Sequence, residues 1–348
     1  MGSVTTLQTR GAVVRAFIIE TVDKHPADIA RVAAEKFGCS RQAIHKHLQQ
    51  LCKEGFLSAE GYTRSRVYRL APLIAWQRQY RLAGLAEDRV WREDVAPALR
   101  GLPDNVMDIW HYGFTEMLNN AIDHSEGAFV TVELAKTAST TKVSLFDDGV
   151  GIFKKIQAAL NLADERHSVL ELAKGKLTTD PANHTGEGIF FSSRMFDEFL
   201  ILSGGVFFSH KFQEAEGWIL QPHSSTKGTL VTMQLNNHTA RTARKVFDGF
   251  TSGDGYGFTK TIVPVELMRY GDDNLVSRSQ AKRLLARFDR FKVVVLDFTD
   301  VTAIGQAFAD EVFRVFREKH PQVQLIFCHT NPEVARMIAR VEGARSIR

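Results

Sequence analysis

HYGFTEMLNNAIDHSEG (residues 111–127) and SLFDDGVG (residues 144–151) are the two stretches from which the rest of the chain can be read. In the first, Glu116 and Asn120 stand four apart, so on a helix they project from one face and can serve one ligand. Glu116 is placed to act as a base and Asn120 to hold a metal. In the second, an alternating strand over residues 142–146 delivers Asp147 to a turn where Gly149 and Gly151 carry no side chains, so a flat base or a phosphate can approach the backbone. A third stretch, Thr185-Gly186-Glu187-Gly188-Ile189, opens another helix, and free N–H groups at a helix start bind anions. Singly, each pattern has an ordinary reading: a solvated helix face, a turn, a glycine-rich loop. In this order and on these elements they read as one nucleotide pocket.

Length and composition limit what surrounds that pocket. At 348 residues the chain exceeds one ordinary core, so two or three domains are expected. Hydrophobic content of 44% and charged content of 24% are those of a globular protein, and 24 Phe point to well-filled cores. No stretch approaches a membrane span and the start has no basic-then-apolar leader, so a cytoplasmic protein without membrane contact is expected. Cys39, Cys52 and Cys328 form no CxxC pair and read as reduced, buried thiols. The net charge of +4 is unevenly spread: residues 1–72 hold 11 Lys/Arg against 6 Asp/Glu, and the remainder holds 33 against 34. A polyanion partner is therefore expected for the N-terminal part alone.

That part, residues 1–72, shows helical patterns at 11–21, 27–37 and 41–54, with Gly38 ending the second and Ser40 capping the third. Ile44, Leu48 and Leu51 form the apolar stripe of the third, and Arg41, Gln42, His45, Lys46 and Gln49 its polar face. Two short strands, 56–58 and 66–70, follow around the loop 60–64. Three helices and a basic hairpin resemble a winged helix-turn-helix. The resemblance implies DNA binding, with the helix from Ser40 in the major groove and Arg64 and Arg66 on phosphates. A protein-docking winged helix is the alternative. Residues 73–101 read as a connector of two amphipathic helices, 74–84 and 88–99.

Residues 102–240 carry the pocket motifs. Pro103-Asp104 starts the long helix, strands are expected at 129–134, 142–146, 207–212, 217–221 and 229–235, and a helix at 189–199. Helices on one side of a mixed sheet make an α/β sandwich. This region resembles the GHKL (Bergerat-fold) ATPase family of gyrase, heat-shock chaperones and histidine kinases. The resemblance implies ATP and Mg²⁺ as cofactors, with Glu116 as general base, Asn120 as the magnesium ligand and Asp147 as the carboxylate that reads the adenine amino group. It also implies Gly149 and Gly151 as turn glycines, Gly186 and Gly188 as the phosphate-contacting loop of a lid over 153–185, and Thr229, in Lys227-Gly228-Thr229, beside the base. It leaves a homodimer open. Asp123 and His124, one turn beyond Asn120, are expected to orient the pocket or the lid.

Residues 256–348 alternate strand and helix: 261–265, 277–288, 293–297, 306–319, 324–328 and 332–341, hence a mostly parallel sheet. LDFTDVTAIG, residues 296–305, resembles the STAS domains of anti-sigma-factor antagonists, which implies a protein partner. In that family a serine opens the following helix, whereas Gly305-Gln306-Ala307 stands here. Lys282, Arg283 and Arg287 read as a solvated face. The whole is expected to be a multidomain α+β protein acting as an ATP-dependent, DNA-binding regulatory switch with ATPase activity. Two rivals are a serine/threonine kinase of the anti-sigma-factor type acting on another chain, and a non-catalytic scaffold.

Overall fold

The computed structural model describes residues 10–62, 65–178, 186–212, 217–220, 226–251, 257–268 and 275–343. Arg64 and Thr185 lie outside them. Helices α1 (Arg10–Thr21), α2 (Ile29–Phe37) and α3 (Arg41–Lys53) bury Val14, Ile18, Ile29, Ile44, Leu48 and Leu51 in a core of their own. Gly38, in the left-handed region at φ 58°, stops α2, and the Ser40 hydroxyl accepts the Ala43 N–H at 3.2 Å to start α3. The antiparallel hairpin β1 (Leu57–Glu60) and β2 (Val67–Leu70) closes that core with Leu57 and Tyr68.

The connector departs from expectation. Residues 74–84 do not form a helix: Ile74–Arg81 is a strand, β3, at the edge of the central sheet. Ile74, Trp76 and Tyr80 recur at even spacing and pack on the second core, a period of two that outweighs the helical reading. Only Ala71, Pro72 and Leu73 separate the hairpin from this strand. The second connector helix does form, as α4 (Glu87–Val90) and α5 (Ala96–Leu99) joined by a π-helical turn at Trp91–Val95.

Next comes α6 (Asp104–His124), which buries Val106, Ile109, Trp110, Phe114, Met117 and Leu118 along one stripe. Then follow β4 (Phe129–Lys136), β5 (Thr140–Asp147), α7 (Ile152–Leu160), α8 (His167–Lys174), α9 (Gly188–Met195), β6 (Glu198–Gly204), β7 (Val206–Lys211), β8 (Gly217–Leu220), β9 (Thr226–Asn236) and α10 (Ala243–Gly249). The strands run β3-β4-β5-β9-β6-β7-β8, and every pair is antiparallel, so the sheet is not mixed. Val130, Val132, Leu134, Val143 and Leu145 alternate onto the face covered by α6 and α9. The helix expected to reach residue 199 ends at Met195, because Phe199 and Ile201 are needed as inward residues of β6 beside β9.

The C-terminal part has a parallel three-stranded sheet, β10 (Lys260–Pro264), β11 (Val293–Asp297) and β12 (Gln324–Cys328), in the order 10-11-12. Its helices are α11 (Arg278–Leu285), α12 (Gln306–Asp310) running through a π-helical stretch Glu311–Phe316 into α13 (Arg317–Lys319), and α14 (Pro332–Gly343). The chain is thus a mixed α/β protein with several sheets. The large sheet and the C-terminal sheet share one continuous core. Phe258 forms the bridge, 4.5 Å from the Phe190 ring of α9, 4.9 Å from Phe191 and 5.3 Å from Phe291. Each such buried ring contributes about 1.5–3 kcal/mol by leaving water. Among the described residues no helix is long and apolar enough to cross a membrane.

Candidate functional site

A cavity of about 270 Å³ opens between α6, the end of β5, β9, α7, α8 and the start of α9. Glu116, Asn120, Asp147, Gly186, Gly188 and Thr229 all line it, although they come from segments far apart in the chain. The remaining wall is apolar at Met117, Ala121, Ile152, Ile156, Leu172, Leu177, Ile189 and Val231, and polar at His124, Ser125, Lys155 and Thr178. An apolar slot with a few converging polar groups suits a flat heterocycle carrying a charged tail. Gly149 and Gly151 do not line the cavity. A Cβ at Gly149 would run into the backbone carbonyl of Ser125, and one at Gly151, where φ is 91°, would press on Ser203 Oγ. They shape the turn that presents Asp147 and face the fold rather than the slot.

Asp147 is only 6% exposed. Its Oδ1 accepts the Gly149 N–H at 2.9 Å, and burial pushes its carboxyl above the usual carboxylate range, against the hydrogen bonds from Gly149 and Thr229. Thr229 pairs with Asp147 in the β5–β9 register, and its Oγ1 accepts the Ile152 N–H at 3.1 Å, tying the start of α7 to the same corner. Gly228 allows this pairing because a Cβ there would run into the Asp147 carbonyl.

On the opposite side, Glu116 and Asn120 share one face of α6, as their spacing requires. Gly188 starts α9 directly against the Glu116 carboxylate, where a Cβ would collide with Oε2. Tyr112, one turn before Glu116, has its phenol pushed well up by burial and then by the carboxylates of Glu116 and Glu187. Burial also raises Glu187, against Lys176. Gly186, at φ 71°, rests on the backbone of Leu177 and accepts its N–H at 3.0 Å through its carbonyl, so Leu177 and Gly186 are held together. Of the pair beyond Asn120, His124 lines the cavity and Asp123 is exposed. Lys155, which sequence reading passed over, reaches from α7 to the His124 carbonyl at 2.8 Å and to Glu126 at 2.9 Å. No spacing rule marks it, because α7 meets α6 only in the fold.

The described residues of the expected lid contain α7 and α8, and α8 is fastened to the C-terminal part. Lys174, fully buried, donates to Glu171 at 2.6 Å and to the Arg283 and Ala286 carbonyls at 2.9 and 3.1 Å. Burial pulls its ammonium down to about 8, against Glu171. Arg287 is not on a solvated face. Its guanidinium meets Glu171 at 2.5 Å and the Gly175 and Lys176 carbonyls at 2.6 and 2.7 Å. Lys282 and Arg283 are exposed, as expected.

On α3, Arg41, Gln42, His45, Lys46 and Gln49 are exposed together, opposite Ile44, Leu48 and Leu51. The exposed Ser40 has its hydroxyl engaged as the helix cap. Arg66 is exposed on the hairpin, its guanidinium 5.7 Å from the Tyr68 ring centre. The three thiols are unpaired with one another and half-buried. Cys328 lies near His329 and Asp297 at the strand ends, where Asp297 Oδ1 already accepts from the Thr299 N–H and hydroxyl and lies 2.9 Å from His329 Nδ1.

Residues 280–335 match a family model described as a STAS-like domain of unknown function (DUF4325). No curated protein matches the chain. The C-terminal part therefore carries a STAS-like domain, a type compatible with protein docking.

Proposed function

We propose that the chain is an ATP-binding, ATP-hydrolysing regulatory switch of GHKL type, with a DNA-binding winged helix before the ATP site and the STAS-like domain as its docking module. The observation that supports this reading is the convergence of Glu116, Asn120, Asp147, Thr229, Gly186 and Gly188 on one cavity of about 270 Å³. The donor set fits the cofactor: a carboxylate and a carboxamide offer the hard oxygens that Mg²⁺ prefers, and the N-terminal end of α9, at the cavity, suits a phosphate. When bound, Mg-ATP supplies the γ-phosphate and the cation that spreads its charge.

In this reading Asp147 would accept from the exocyclic amine of adenine, and Ile152, Ile156 and Leu172 would supply apolar wall that keeps water from the ring. Asn120 would hold the cation through its amide oxygen. Glu116 would serve as the base that takes a proton from the attacking water. Transfer to the chain's own STAS-like domain is disfavoured by its sequence and packing: Gly305 stands at the start of α12, and a Cβ there would press on Val276.

Exposure of Arg41, Gln42, His45, Lys46 and Gln49 on one helix face supports the DNA role, since Arg and Gln are side chains that read base edges. Calorimetry with Mg-ATP on the full chain tests the ATP site. Binding with a Glu116→Gln variant that still binds but releases phosphate about 10²–10⁴-fold more slowly is expected. No heat from the wild-type chain removes the proposal.

A further inference from the structure

We infer that Arg287, a residue of the STAS-like domain, is a positioning residue for the nucleotide pocket, holding α8 and residues 175–178 in the form that completes the pocket wall. The inference rests on the nucleotide reading of the cavity. Leu172, Leu177 and Thr178 are wall residues, and the segment carrying them has no sheet partner of its own. Beside the hydrogen bond of the Leu177 N–H to the Gly186 carbonyl, its backbone is held from the C-terminal part: Arg287 takes the carbonyls of Gly175 and Lys176, the two residues before Leu177, and pairs with Glu171, the residue before Leu172. Thr261 on β10 donates to the Lys174 carbonyl at 2.8 Å, and Lys176 donates back to the Arg290 carbonyl at 2.9 Å. Gly175 is pressed between Phe258 and Phe190, where no Cβ would fit.

Arg287 is suited to this because its planar fork reaches three acceptors at once, which an ammonium cannot do with the same geometry. Its backbone sits at φ 67°, a conformation a branched-chain or long side chain rarely takes, which turns the residue at the end of α11 back toward α8. Charge counting separates it from its neighbours. Removing Glu171 strands the buried Lys174 ammonium and the half-buried Arg287 guanidinium, whereas removing Arg287 leaves the Lys174–Glu171 pair intact. Arg287 can thus be substituted with less damage to the fold while the hold on 175–178 is lost.

Thermodynamic reciprocity gives the experiment its second readout: if the contact favours the ligand-ready wall, the ligand must favour the contact. Hydrogen exchange and calorimetry are measured on the full chain with and without Mg-ATP. In the wild type, Mg-ATP is expected to slow exchange at 167–178 and also at 278–290, which does not line the pocket. Arg287→Met is expected to weaken Mg-ATP by about 5- to 150-fold, to lose the protection at 278–290, and to leave exchange in β4 and β5 unchanged. Arg287→Lys is expected to recover part of the affinity. Should Arg287→Met not fold, Thr261→Val removes one interdomain hydrogen bond with little change of shape, and unchanged Mg-ATP affinity there overturns the inference. Wild-type binding with equal affinity in Arg287→Met overturns the inference and leaves the site reading standing. Absence of binding by the wild type removes both.

Discussion

The Asp147 carboxylate lies almost out of water, with Oδ1 on the Gly149 N–H, and burial raises its pKa above the value of an unfolded chain. The native state therefore holds a proton that the unfolded state gives up sooner. Between the ordinary carboxylate range and the raised value the native state binds more protons, so stability falls as pH rises through that window. Asp147→Asn keeps the Gly149 bond through its amide oxygen and carries no charge to bury. Its melting temperature is expected to equal or exceed the wild type at pH 7, with the difference vanishing below the unfolded pKa. In the same orientation the new NH₂ would face the adenine amine, donor against donor. Loss of a charge-assisted hydrogen bond worth about 1.5–3 kcal/mol should weaken Mg-ATP by roughly 10- to 100-fold. A calorimetric titration that finds wild-type affinity in this variant assigns the ring to another residue.

Glycines at two element ends separate fold from chemistry. At Gly149 the turn after β5 lies against the backbone of Ser125 at the end of α6, so Ala there must move main chain. Gly149→Ala is expected to lose about 1–3 kcal/mol in denaturant unfolding. At Gly188 the obstacle is the tip of the Glu116 side chain, which can swing aside, and Ala suits a helix start better than Gly. Gly188→Ala is expected to unfold within about 1 kcal/mol of the wild type while phosphate release falls, because Glu116, the base we propose, would be displaced. Equal turnover in this variant would place the base elsewhere.

The described residues form two hydrophobic cores. One belongs to the helices and hairpin of residues 14–70, and the other joins buried residues drawn from Leu82 to Val341. The covalent route between them is the short passage Ala71-Pro72-Leu73 from β2 into β3, and β3 is a full edge strand of the sheet that ends beside the cavity. Nucleotide can alter DNA affinity only if it binds two arrangements unequally. DNA affinity measured at fixed salt with and without Mg-ATP is expected to differ. Lys46→Ala is expected to lower the salt slope by about 1 in both states, as loss of one phosphate contact does. Equal affinities with and without nucleotide dispose of the switch while leaving both separate sites.

Much of the candidate site was legible before any fold was known, because it depends on near neighbours in the chain. Four residues on a helix bring Glu116 and Asn120 to one face, and a strand followed by glycines presents Asp147 at a turn. The bounds of β11 and β12 likewise agree with the alternating patterns at 293–297 and 324–328. Other features depend on contacts between distant segments and carry no local mark. Residues 74–81 have helical and strand periodicities in competition, and pairing with β4 decides for the strand. Arg287 looks like any surface arginine until Glu171, 116 residues earlier, is brought against it. Local periodicity and turn chemistry thus determined which residues could form the pocket. Only tertiary packing decided that the pocket's wall is held by the STAS-like domain, since burial of a charge is a property of what surrounds it and not of its place in the chain.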